Sequence, residues 1–77
     1  MDTITGRVIR TIRHGHTAYG NPMMSVVMEG ANRLIGEYPY RISDNASLVY
    51  EIENAEFRAE PHTFALTRAG RISHVVR

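Results

Sequence analysis

TITGRVIRTIR (residues 3–13) is rich in β-branched residues and holds neither a proline nor a turn pair, so it reads as one long strand. Under strict alternation Ile4, Val8 and Ile12 share a face, with Gly6 between the first two. Ile9 faces the other way and Arg10 falls on the apolar side. Such a parity fault inside a long strand marks a bulge or a bend. Gly6 has no side chain to pack and is where the strand coils most easily. The expectation is one curved strand that serves two sheets, as at the start of a small barrel.

Outward from this strand, Met23–Glu29 alternates again, with Met24, Val26 and Met28 inward and Met23, Ser25 and Val27 outward. The polar stretch His14–Asn21 between them exceeds the two to five residues a hairpin needs. It reads as a long first loop and a contact rim. "RLIGEYPYRIS" (33–43) is a third strand, interrupted at Gly36 and Pro39 and therefore bulged or an edge. In "SDNASLVYEIEN" (43–54) Ser43 or Asp44 can cap a helix. Ala46, Val49 and Ile52 (or Tyr50) recur at helical spacing, and Asn54 suits a left-handed stop. Extended, the same residues would put Leu48, Tyr50 and Ile52 on one face. His62–Thr67 and Arg71–Val76 form a closing hairpin around "RAGR", burying Phe64, Leu66, Ile72 and Val76 and turning at Gly70.

The predicted class is mainly β: a small five-stranded β-barrel with one short helix around residues 45–53, in a single domain spanning 1–77. The element order matches the oligonucleotide/oligosaccharide-binding (OB-like) barrel, with its helix between strands three and four. An SH3-like barrel has nearly the same strands and gains if "ASLVYEIE" is extended. At 77 residues without cysteine, such a domain has no disulfide framework and no thiolate metal site. It relies on a compact core, on oligomerisation, or on both. No basic segment followed by an apolar run opens the chain and no run approaches spanning length, so the expectation is a cytoplasmic protein without a membrane partner.

"YGNPMMSVVMEG", "YRISDNASLVYEIEN" and "LTRAGRISHVVR" resemble a pattern in small proteins of actinobacteriophages and their hosts. There Gly-Asn-Pro precedes a strand, Asp-x-Ala-Ser leads to Tyr-x-Ile-x-Asn, and the chain closes with Thr-Arg-Ala-Gly-Arg. The resemblance spans nearly the whole chain and implies a phage-type accessory protein. It carries over no catalytic residue, because its motifs are turn and capping residues.

The candidate chemistry is that of binding. His14 and His16 form an H-x-H, but a metal site needs further ligands, and they read as solvated loop histidines. His74 alternates with Ile72 and Val76 as a partly buried strand residue. No serine stands in a G-x-S-x-G elbow and no glycine loop is followed by lysine, so neither an enzyme nor a cofactor is expected. The formal charge is +1 and all nine basic residues are arginine. A basic surface of Arg7, Arg13, Arg33 and Arg41 around His14, His16 and Tyr19, with Tyr38 and Tyr40 to stack bases, would suit single-stranded nucleic acid. Glu29 and Glu37 interrupt it, and Tyr38 and Tyr40 share a strand face that the core also claims. The favoured expectation is protein–protein binding, to a host protein or to itself, through Ile9, Met23 and Val27.

Overall fold

The first strand, β1 (Thr3–His16), changes partner at Gly6. Thr3 to Gly6 pair with β4 (His62–Leu66), and from Arg7, opposite Glu29, β1 pairs with β2 (Pro22–Gly30). The crossing is tight at this glycine. A Cβ on Gly6 would stand 2.7 Å from Ile35 Cδ1 and 3.2 Å from the Glu29 carbonyl oxygen. The long first strand is as the sequence predicts, but its two partners belong to one sheet rather than two.

The structure, a computed structural model, describes residues 2–31 and 33–77. Five antiparallel strands form one sheet, in the order β3–β2–β1–β4–β5, with β3 (Arg33–Tyr40) and β5 (Ile72–Val76) as its edges. The two edges bring Cα atoms within 8 Å of each other, but the sheet's pairing does not continue between them. Pro39, which has no amide hydrogen to donate, sits on the edge strand, as does a register shift between the pairs Met28–Gly36 and Glu29–Leu34.

Two irregularities in β1 correct the alternation. Val8 pairs with Met28 and Arg10 with Val27, so Ile9 is an extra residue. One extra residue reverses every later side chain. Thr11 and Arg13 consequently stand on the core side opposite Val26 and Met24, and Ile12 lies outside, opposite Ser25. The second irregularity lies between Arg13 and His16, where Gly15 has φ +101°. It carries β1 on to His16, so the long loop expected over residues 14–21 is a short turn. Thr17 N donates to Asn21 O at 2.9 Å, Gly20 N to Thr17 O at 2.9 Å and Asn21 N to Thr17 Oγ1 at 3.2 Å.

α1 (Ala46–Glu53) is helical, against the extended reading. Its cap is Asn45 rather than Ser43 or Asp44. Asn45 Oδ1 accepts from Leu48 N at 3.1 Å, and Nδ2 donates to Ser73 O of β5 at 3.3 Å. The buried stripe is Leu48 and Ile52, whereas Tyr50 is 73 % exposed. Asn54 does not take a left-handed conformation (φ −79°, ψ 127°). It ends α1 and caps a second helix, α2 (Ala55–Arg58), accepting from Glu56 N at 2.8 Å.

Val8, Met24, Val26, Met28, Tyr40, Leu48, Ile52, Phe64 and Ile72 form the core between sheet and α1. Each such side chain contributes about 1.5–3 kcal/mol of transfer free energy. In the last hairpin Phe64 and Ile72 are buried as expected, but Val76 is 45 % exposed and Val75 packs on the core instead. Leu66 pairs with Ile72 and Ala65 with His74, leaving Ser73 as the extra residue that moves Val75 inward. His74, expected to be partly buried, is exposed.

Candidate functional site

The outer face of β1, β2 and β3 is organised in rows set by register. One row runs Arg10, Val27, Glu37, and the next runs Ile12, Ser25, Pro39. Met23 begins the outward positions of β2, and Ile9 stands 37 % exposed at the bulge. Val27 is only 8 % exposed between Arg10 and Glu37. Of the expected stripe, Met23 and Val27 lie on one face with Ile12 and Pro39, Val27 being buried in it, and Ile9 is exposed at the bulge beside them. Ile12 was misplaced because nothing in the sequence marks which residue bulges. The parity fault was the available signal.

The basic and aromatic set is divided. Arg7 pairs with Glu29 and donates through Nη1 to the Arg58 carbonyl at 3.5 Å. Tyr40 is 1 % exposed and offers no ring face to a base, and Tyr38 is partly buried against the core. Arg13, His14, His16 and Tyr19 gather near the first turn, where Tyr19 is 93 % exposed at the tip. Arg41 directly follows β3 at that end, whereas Arg33 begins β3 opposite Gly30, at the other end. The rim is the end of a hairpin, and the sequence could have shown it: Thr17-x-x-Gly20 repeats the Thr67-x-x-Gly70 of the closing turn.

His14 Nε2 lies 2.9 Å from Ser25 Oγ and 3.2 Å from Glu37 Oε1. These residue types suggest a nucleophile, a base and an orienting acid, but the geometry is different. Serine and carboxylate meet the same ring nitrogen, which can accept from one or donate to the other. In a relay the acid holds the opposite nitrogen. Ser25 is also 5 % exposed, with no approach for a carbonyl substrate. Among the described residues no three His, Cys, Asp or Glu side chains group to hold a metal ion.

Concavities lie off this face, one of about 410 Å³ along Asp2, Leu66, Thr67 and Arg68. A groove of about 440 Å³ follows Thr5, Gly6, Arg7, Glu29, Gly30, Ala31 and Pro61, its ion pair self-neutralised. A smaller cleft of about 150 Å³ is lined by Thr11, Ile12, Arg13, Met24, Tyr40 and Glu53. Burial raises the Tyr40 phenol above its ordinary value, and the Glu53 charge adds to the effect. Thr11 stands beside the phenol, yet its hydroxyl donates to Glu53 Oε1 at 3.2 Å. Among the described residues the phenol oxygen has no hydrogen-bond partner.

No protein-family model, curated protein or solved structure matches this chain. Among the described residues no helix is long and apolar enough to cross a membrane.

Proposed function

We propose that this chain is a small non-enzymatic binding module that holds a protein partner on the outer face of β1–β3. One observation carries the reading: Ile12, Met23 and Pro39 share that face around a buried Val27, with Ile9 exposed at the bulge beside them, while the tyrosines that would stack bases belong to the core side. The finer fold is a partly open OB-like barrel. The strand order, the helix between β3 and β4 and the approach of β3 to β5 support it. The resemblance to actinobacteriophage proteins adds the setting of an accessory protein whose partner is a host protein or a second copy.

A photo-crosslinking residue at Met23 tests this in a host lysate, with one at Arg68 as control. Protein adducts that form from Met23, fail from Arg68 and survive nuclease support the module. Equal labelling from both positions refutes it.

Single-stranded nucleic acid is the second reading. Arg10, Arg13, Arg33, Arg41 and Arg68 have no ion-pair partner among the described residues, and Tyr19 is exposed. Anisotropy with labelled oligonucleotides at low salt, where phosphate contacts are strongest, checks it. Absence of binding there removes it.

A further inference from the structure

We infer that the partner of the β1–β3 face is a second copy of this chain, packed face to face about a two-fold axis that runs along the strands. The inference rests on the reading of that face as a protein-binding surface and adds what binds there.

The argument lies in the row Arg10–Val27–Glu37. Register places a cation, an apolar centre and an anion side by side across three strands. Among the described residues Arg10 has no ion-pair partner, and Glu37 pairs only with the His14 ring. Rotation by half a turn about an axis parallel to the strands and above Val27 exchanges the two ends of the row. Arg10 of each copy then opposes Glu37 of the other, and Val27 opposes Val27. The same operation sets Ile12 against Pro39 in the next row, apolar against apolar, and Met23 against Met23. A two-fold axis along the row would instead oppose Arg10 to Arg10. The face is therefore self-complementary in one of these two orientations. That orientation keeps the strands of the two sheets aligned, as in face-to-face sheet packing, and an isologous contact of this kind closes at the dimer.

Three strands about 4.8 Å apart with a rise of about 3.3 Å per residue, over the eight to nine residues of β3 and β2, span roughly 400 Å², below the roughly 800 Å² per partner of a standard stable interface. The dimer is accordingly weak and salt-sensitive. Sedimentation from about 10 μM to about 1 mM reads it directly. Wild-type protein gains mass with concentration and loses the gain at high salt. R10E and E37R each place like charges opposite one another at both ends of the row, so each weakens dimerisation by roughly tenfold or more.

An equimolar mixture of R10E and E37R restores the dimer, since one copy then carries two acids on the row and the other two bases. The double variant R10E/E37R also dimerises. Both positions are exposed, and circular dichroism confirms that each variant folds. A wild-type protein that stays monomeric at the highest concentration overturns the inference. So does a wild-type dimer whose charge-swapped mixture remains monomeric. If adducts to another protein still form from Met23 in that case, the binding-module reading stands and only self-pairing falls. If none form, both fall.

Discussion

Thr17 and Thr67 occupy the same position in two copies of one turn. Each backbone N–H donates to the carbonyl four residues on, at 2.9 Å for Asn21 and 2.8 Å for Arg71. Each hydroxyl accepts from the amide of that same residue, at 3.2 Å and 3.1 Å. Gly20 and Gly70 close the two turns with φ +84° and +81°, the positive-φ residue that a three-residue hairpin loop requires.

The two glycines are therefore expected to behave alike. A Cβ at either meets nothing within 4 Å, so the penalty of Gly20→Ala and of Gly70→Ala is purely conformational, about 1–2 kcal/mol each. Urea denaturation of the two variants checks this. A penalty at one turn only would mean that the hairpins do not share a geometry.

Gly6→Ala tests the crossing of β1 between its two partners. The added methyl enters contacts of 2.7 Å with Ile35 Cδ1 and 3.2 Å with the Glu29 carbonyl, and a cost of about 1–3 kcal/mol follows. Ile35→Val removes the nearer atom. The two substitutions together should cost less than the sum of their separate effects, measured by a double-mutant cycle.

The Tyr40 hydroxyl is buried without a partner. Tyr40→Phe removes that group and keeps the ring in the core, so it should stabilise the protein by about 1 kcal/mol. The same residue predicts a pH effect. Its folded-state value lies above the ordinary 10.0, chiefly through burial, so the folded state keeps its proton longer than the unfolded chain. The contribution is fully present below about pH 10 and is lost as pH rises from there through the folded-state value. Thermal melts between pH 8 and pH 11 should show a decline in the wild type that is smaller in Tyr40→Phe.

Asn45 joins α1 to the edge strand β5 by capping one and donating to the other. Asn45→Ala should cost about 1–2 kcal/mol. Asn45→Asp keeps the capping oxygen but sets a carboxylate against the Ser73 carbonyl, so it should recover only part of the loss. Equal stability of Asp and Asn at this position would show that the bond to β5 contributes nothing.

Much of this architecture was legible residue by residue. Alternation over Met23–Glu29 is strict because no extra residue falls within it, and Met24, Val26 and Met28 are all buried. The helix over Ala46–Glu53 is local in origin, since its cap and its buried pair lie within a few residues of one another. Ile12 and Val76 face opposite to their expected sides for one shared reason. Each follows an extra residue, at Ile9 and Ser73, and its face depends on a register that only the neighbouring strand defines.

By itself the sequence determined a mainly β domain, a first strand with a fault near Ile9, one helix before the closing hairpin, and a turn at Gly70, whereas the matching turn at Gly20 reads from sequence as part of a long loop. These depend on backbone preferences and on patterns a few residues long. Tertiary structure alone decided that Tyr38 and Tyr40 belong to the core side, and that Arg10, Val27 and Glu37 align in one row. Such placements arise from pairing between segments distant in the chain, where one extra residue exchanges the inside of a strand for its outside.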